Sequence, residues 1–431
     1  MNTAASPAAT KLTVAAWPGT VPRLLRLTED PEDYAEYVRG GGYQPLDGPD
    51  GLLAEVDRSG LLGRGGAAFP LAVKLRTVRD AGRAGRDTVV VANGEEGEPA
   101  SVKDKWLLRK RPHLVIDGVR LAARIVGAGR AFVYVSDQDA AHAIEGVVDA
   151  SPADSPAITV VTVDAGYVAG EETAAVRAIN GGPAKPTDKP PRPFERGVGG
   201  DPTLVSNVET LANLPYVLRH GAEAFRAQGT SASPGTFLAT ITGAGRPAAL
   251  YEIPHGASVV DLLALHGVST DQLTGVLMGG YFAGLLNREV LDATLDHETM
   301  GRLGSGLGCG AVALITDDCP VAVAAAVMAY FDRENAGQCG SCFNGTAAMS
   351  AVAEALRDGV ATADDLARLE RWSVVLRGRG ACATLDAATN VATSLLLQFP
   401  QLVAGHLDGK CDSCRAGAYT VLRPYEVEAV S

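Results

Sequence analysis

Three groups of residues in this 431-residue chain have types and spacing suited to chemistry. In the first, Gly60-Leu-Leu-Gly63-Arg64-Gly65-Gly66-Ala-Ala-Phe69-Pro70 runs directly into Leu71-Ala-Val-Lys74. Gly63, Gly65 and Gly66 permit left-handed backbone and bare their N–H groups. Pro70 is placed to open a helix, and a helix N-terminus behind a glycine-rich loop receives anions. Lys74 lies one turn inside and leans back toward the same point. The plain alternative is a glycine-rich turn with an exposed lysine. The second group is acidic. A β-branched run at 89–91 leads into Asn93-Gly94-Glu95-Glu96-Gly97-Glu98-Pro99. Carboxylates at the carboxyl end of a strand can accept hydrogen bonds from sugar hydroxyls; the alternative is a solvated turn. Glu171 and Glu172 follow Gly166-Tyr167-Val-Ala-Gly170, where a first-turn carboxylate also simply suits the helix dipole. Ser206-Asn207-Val-Glu209-Thr210-Leu reads at face value as a capping box, with Ser206 at the N-cap and Glu209 at N3.

The third group is sulfur. Cys309, Cys319, Cys339, Cys342, Cys382, Cys411 and Cys414 all fall after residue 308. An odd number crowded at one end points to metal or redox chemistry and not to a disulfide scaffold. Cys309 and Cys319 read as buried and inert. The glycine run at 304–310 has the look of a nucleotide loop, but it precedes the strand-like stretch 311–315 instead of following one, so it reads as a turn.

Several elements must position these groups. Residues 1–49 form a poorly patterned lead-in. Across 50–230, β-branched runs at 89–91, 132–135 and 158–163 alternate with helix-like stretches, which predicts an α/β domain with a largely parallel sheet. A Pro/Lys-rich connector at 181–193 must be loop. Residues 235–300 read as a small α+β unit with strands at 236–242 and 249–253 and a helix at 259–266. Residues 317–405 read as a helical bundle. Asp317 or Asp318 caps its first helix, Pro320 sits in that helix's first turn, and further helices fall at 346–358, 363–377 and 385–398. A tail, 406–431, carries Cys411-Asp-Ser-Cys414. The net charge of −12 argues against a nucleic-acid surface. The longest apolar stretch, 321–330, is about half of the roughly 20 residues that a membrane helix needs. With no charged and then apolar leader, the expected location is cytoplasmic.

Taken in order, the segments 63–70, 93–99, 167–173, Lys189-Pro-Pro and 206–211 resemble the motifs of the FMN-bearing, NADH-oxidising subunit of respiratory complex I. NAD-linked hydrogenases and formate dehydrogenases share them. The resemblance implies a Rossmann-like FMN- and NADH-binding α/β domain at 50–230, a ubiquitin-like β-grasp domain at 235–300, and a [4Fe–4S]-bearing helical bundle at 317–405. At the flavin it implicates Gly63, Arg64, Gly65, Gly66, Lys74, Asn93, Glu95, Tyr167, Gly170, Glu171, Ser206, Asn207 and Thr210. At the nicotinamide nucleotide it implicates Phe69, Glu98, Glu172 and Lys189, and at the metal Cys339, Cys342 and Cys382. The activity implied is hydride transfer from NADH to FMN. Single electrons then pass through the iron–sulfur cluster to a protein acceptor, such as a ferredoxin or a reductase subunit, with the chain itself cytoplasmic or attached to a membrane complex. The flavin does the chemistry, so no side chain is assigned as acid or base.

The chain departs from the family pattern in three places. The family's Cys-x-x-Cys-x-x-Cys has Ala336 at its first position here. Three arrangements remain open: Cys411 or Cys414 returns as the fourth ligand; a three-cysteine cluster forms, [3Fe–4S] or [4Fe–4S] with another ligand; or no cluster forms. Arg192 follows Lys189-Pro-Pro where the family commonly has Phe, with Phe194 two residues on. Arginine can stack on a base or attract a phosphate, which leaves NADH versus NADPH open. Glu95 stands where Asp is usual. These departures motivate a second reading, a structural or regulatory subunit that has lost cluster or nucleotide binding. Electron flow in reverse, from a reduced partner to NAD⁺, is a third.

Overall fold

The structure is a computed structural model, described for residues 12–28, 30–409, 411, 414 and 419–427. Its described strands are β1 (Thr13–Ala16), β2 (Val89–Asn93), β3 (Arg130–Val135), β4 (Ala157–Thr162), β5 (Thr203–Asn207), β6 (Thr236–Gly243), β7 (Ala249–Pro254), β8 (Gly275–Met278), β9 (Leu285–Leu286) and β10 (Ala311–Ile315).

The first sheet has the order β4-β3-β2-β5 and is parallel throughout. Its central strand is apolar on both faces because both faces are covered. Val90 and Ala92 pack with Leu75, Val115, Val119 and Ile144 of the helices Leu71–Arg83, Pro112–Val126 and Gln138–Val148. Val89 and Val91 pack on the other side with Tyr134, Ala175 and Val198. The register pairs Ala92 with Ser206 and Asn93 with Asn207. The carboxyl ends of β2 and β5 therefore stop at one level, where ligands of open α/β sheets sit.

The second sheet, β1-β7-β6-β10-β8-β9, is mixed: β10 runs parallel to β6 and antiparallel to β8. It extends past the expected 235–300 unit at both ends. It takes in β10 from beyond the glycine run, and also β1, which pairs in parallel with β7. Residues 12–49 are thus no detached lead-in. Leu24 and Leu25 are buried and donate their backbone N–H groups to Glu252, and Tyr37 donates to Asp117 at 2.7 Å. The four-residue, alanine-rich β1 has too little pattern to announce itself.

The bundle is built round the helix Pro320–Glu334, whose Val321–Met328 stretch is buried on every side. Gly340–Arg357 and Thr384–Gln398 pack against it and Ala363–Val375 packs on those two, with Met349, Leu356, Leu369, Val391 and Leu395 in the shared core. Pro320 does occupy the first turn, but the N-cap is Cys319 and not either aspartate, and it makes no side-chain cap. Ala100 and Tyr281 share the bundle's core, which fixes the bundle against the loop after β2. No described helix is long and apolar enough to cross a membrane.

Candidate functional site

The glycine loop closes on itself through Gly63 N–H donating to Phe69 O at 2.9 Å, and the helix Leu71–Arg83 starts directly after it. Two glycines are needed for space. A Cβ on Gly65 would lie 3.1 Å from Asn207 Cβ, and one on Gly66, at φ +122°, would lie 3.2 Å from the Phe282 ring. Lys74 reaches back as expected, with Nζ 3.2 Å from Val205 O at the end of β5 and 3.8 Å from Glu172. Burial lowers the pKa of its ammonium, and Glu172 partly restores it.

Asn93, at the tip of β2, donates to Gly170 O at 2.8 Å and accepts from Glu95 N–H at 3.2 Å. Glu95 is buried. One of its oxygens accepts from Gly166 N–H at 3.3 Å, while Oε2 has no partner among the described residues. Burial raises the pKa of this carboxyl group. Gly97 must be glycine, because a Cβ there would come within 2.8 Å of Gly166 O. The turn Tyr167–Gly170 is steadied by Tyr134, whose hydroxyl donates to Ala169 O at 3.1 Å. Glu171 caps the helix Glu172–Ile179 and also pairs with Lys189 at 2.7 Å. Lys189 lies 3.7 Å from Glu172, so Lys74, Glu172, Lys189 and Glu171 form one continuous charge network. The expected split, with Lys74 and Glu171 at the flavin and Glu172 and Lys189 at the nucleotide, runs across that single network.

One expectation is corrected, and three site residues take orientations that the sequence left open. The Ser206–Glu209 capping box does not form. Asn207 is the N-cap, accepting from Glu209 N–H at 3.0 Å, and the Glu209 carboxylate turns inward to Lys103 at 2.9 Å. Arg64 does not present its guanidinium to the loop's open side; it is buried and donates to Thr236 O at 3.0 Å. Thr210 is likewise buried, its hydroxyl taken by Arg64 N–H at 2.8 Å, so both brace the loop from behind. Glu98 is only 7 % exposed and accepts from Tyr281 N–H at 3.0 Å. Its other oxygen, Oε1, has no partner among the described residues, and burial pushes its carboxyl pKa up to about 8. Phe69, by contrast, is 46 % exposed at the loop's edge.

Sequence reasoning missed Lys103, Asp104 and Phe282. Lys103 and Asp104 are buried, 2.7 Å apart, and Asp104 accepts from Asn207 Nδ2 at 2.7 Å. Burial works against the Lys103 ammonium, but Asp104 and Glu209 overcome it, and its pKa rises above the ordinary lysine value. This ion cluster is the floor on which Asn207 rests. Charged residues opening a helix usually face water, and Lys103-Asp104 stands in the charged run Lys103-Asp104-Lys105, so the sequence offered no cue.

In the bundle, Cys339 caps the helix Gly340–Arg357, Cys342 lies in its first turn, and Cys382 stands just before the helix Thr384–Gln398. Burial, and then the neighbouring Cys382 and Cys339, push the Cys342 thiol up to about 12. Thiols that raise one another's pKa in this way need a cation before all of them can ionise. The loop bearing Ala336 is held to the α/β domain: Lys185 donates to Ala336 O at 3.0 Å and Gln338 to Pro186 O at 2.8 Å. Tyr167 packs edge-on against Phe331, 5.0 Å between ring centres, so the turn at the sheet's edge abuts the bundle. Cys411 and Cys414 lie with Cys319 and His406. The reading of Cys319 as inert is thereby set aside, and Cys309 is half-buried.

A bare glycine loop and helix start at the carboxyl edge of a parallel sheet abut a bundle that carries three neighbouring thiols, a cofactor-binding module joined to a thiol-bearing one. Comparison with known proteins gives the class its family. Residues 56–216 match the family described as the Nuo51 FMN-binding domain, and residues 322–406 the NADH-ubiquinone oxidoreductase-F iron-sulfur binding region. The chain is 32% identical to the F 2 subunit of NADH-quinone oxidoreductase from Rhizobium meliloti, over 90% of this chain and 98% of that one. It is 29% identical to HndC, a subunit of the NADP-reducing hydrogenase of Solidesulfovibrio fructosivorans, over 93% of this chain and 85% of the other. A solved structure of NAD+-reducing [NiFe]-hydrogenase in the H2-reduced state superposes with a TM-score of 0.76 at 31% identity, over 83% of this chain and 63% of that one. The chain belongs to the family of NADH-quinone oxidoreductase F subunits, whose members join an FMN-binding domain to an iron–sulfur region in an NADH-oxidising electron-transfer module.

The residues present fit these groups. At the flavin site a buried carboxylate oxygen of Glu95 lacks a partner among the described residues. At the cluster the donor set is right in kind, with three thiols, and the described residues bring no fourth cysteine to it.

Proposed function

We propose that this chain oxidises NADH at a flavin seated over the carboxyl ends of β2 and β5, and delivers the electrons through the Cys339–Cys342–Cys382 site to a protein acceptor. The observation that carries this reading is the Asn93–Asn207 register, which gathers the glycine loop, Lys74 and the unpartnered Glu95 oxygen at one edge. FMN, when bound, accepts hydride from the nicotinamide and releases electrons singly. The chain's own residues supply position. The backbone N–H groups of Gly65 and Gly66 and the Lys74 ammonium receive a phosphate or the polar edge of the ring. The free Glu95 oxygen accepts from a hydroxyl of the bound cofactor. Asn93 and Asn207 hold the loops in place, since their amides are already spent on Gly170, Glu95, Asp104 and Glu209. Phe69 offers a ring face to the nicotinamide nucleotide, and the Glu171–Lys189–Glu172 network borders it.

Three thiolates then hold the cluster, with a fourth ligand other than cysteine. We read β1 with residues 236–315 as the ubiquitin-like unit that backs the loop. The acceptor is a partner subunit or a ferredoxin. Lys74→Ala tests the site directly. The account expects FMN to be lost on gel filtration while iron content and circular dichroism are unchanged; wild-type FMN content would contradict it.

A further inference from the structure

Four side chains outside the flavin and cluster sites converge with no assigned role. Cys319 precedes the helix Pro320–Glu334, His406 lies in the last turn of the helix Pro400–Leu407, and Cys411 and Cys414 follow in the tail. Their Sγ and imidazole nitrogen atoms all lie within 4.8 Å of one another. Cys319 Sγ is 3.3 Å from His406 Nε2 and 4.0 Å from Cys411 Sγ. Zinc–sulfur bonds of about 2.3 Å and zinc–nitrogen bonds of about 2.0–2.1 Å in a tetrahedron set such edges near 3.8 and 3.6 Å. A disulfide needs a sulfur separation of about 2.05 Å, and all seven cysteines are free.

The histidine is already oriented as a ligand. Its Nδ1 lies 3.0 Å from Leu356 O, an atom that can only accept, so Nδ1 carries the proton and Nε2 turns its lone pair to the sulfurs. Metal-bound imidazoles are held in just this way by an outer carbonyl or carboxylate. His406, Cys319 and Cys414 are buried and Cys411 is partly open, which leaves a way in for an ion. Four nitrogen and sulfur donors this close surround one ion rather than a cube of four irons, and they leave no position for a substrate.

We propose that Cys319, His406, Cys411 and Cys414 bind one structural zinc ion that fastens the C-terminal tail to the bundle. Beyond the knot the tail crosses the loop after β2. Tyr425 donates to Asp318 at 2.8 Å beside the site, Tyr281 donates to Pro424 O at 2.5 Å, and Val427 N–H donates to Pro99 O at 3.0 Å. Zinc binding therefore holds in place the strap that bonds to Pro99, the residue after buried Glu98. The tail cysteines are thereby committed to zinc and not to the iron–sulfur cluster.

The test is elemental analysis of the untagged full-length protein, purified anaerobically from zinc-replete cells, beside the Cys411→Ser/Cys414→Ser double variant. The expected result is about one zinc per chain that resists dialysis, falling roughly tenfold or more in the variant while iron and FMN stay at wild-type content. As a check independent of the variant's folding, the wild-type protein reconstituted with cobalt(II) in place of zinc should show the intense sulfur-to-metal bands of a tetrahedral thiolate site. No zinc in the wild-type protein, or zinc unchanged in the variant, overturns the proposal. So does loss of iron in place of zinc, which would return the tail cysteines to the cluster. A Cys411–Cys414 disulfide in the zinc-replete protein would overturn it as well.

Discussion

The carboxyl edge of the parallel sheet and the thiol-bearing end of the bundle both hold redox groups, by opposite means. The sheet edge is built mostly from backbone: a glycine loop, a helix start and two register-matched asparagines, floored by the buried Lys103–Asp104–Glu209 ions. The bundle end is built from side chains alone, three thiols set at helix starts some forty residues apart. Damage should therefore spread differently. A lesion in the ionic floor of the sheet edge disturbs packing, charge and cofactor together, whereas a lesion at the bundle end removes metal and leaves the rest standing.

Lys103→Met should break the contrast hardest on the sheet side. It leaves buried Asp104 with no cation and Glu209 with only Arg64 at 3.9 Å, a loss of about 3–5 kcal/mol. A lowered Tm together with lost FMN is expected, and a Tm within a degree of wild type would deny the floor its role. Cys382→Ser is the counterpart: iron should fall while Tm and FMN hold. Next comes Lys74→Ala, which removes a charged contact worth about 1.5–3 kcal/mol and should weaken FMN binding about 10- to 100-fold, measured by flavin fluorescence on dilution. Ala336→Cys sharpens the comparison from the bundle side by restoring a fourth thiolate. Its cluster should hold about four irons through dialysis and show an altered paramagnetic resonance spectrum when reduced; an unchanged spectrum would place residue 336 away from the cluster.

The smallest effect concerns Glu98. Its folded pKa, raised to about 8 by burial, lies above that of the unfolded chain. The folded state then binds more protons than the unfolded state between about pH 4.5 and 8. This contribution to stability is whole below that window and is lost as the pH rises through it. Glu98→Gln should flatten the decline in Tm from pH 5 to 8, and an equal slope in both proteins would contradict the assignment.

The same contrast explains what the sequence disclosed. The parallel sheet, the glycine loop, Lys74 and the helices of the bundle were legible because each is contiguous and periodic. The tasks of Arg64, Thr210 and Glu98 were not, since a motif fixes where a residue stands along the chain but not which way its side chain turns. Ser206-x-x-Glu209 satisfied a local capping pattern that a distant partner, Lys103, overrode. The order within residues 12–49 was not legible because it comes from pairing with β7 and Glu252, more than 200 residues away. Cys319 and His406 could not be joined to the tail cysteines by spacing alone.

The central claim is that NADH reduces a flavin held at the sheet edge, with the thiol site downstream. It is tested most directly by anaerobic titration of the purified protein with NADH, following visible absorbance, in the wild-type protein and in Cys382→Ser. The account predicts that the flavin band bleaches in both, with the reducing equivalents taken up per chain smaller in the variant. A flavin that stays oxidised in the presence of NADH, or bleaching that is lost in Cys382→Ser, would contradict it.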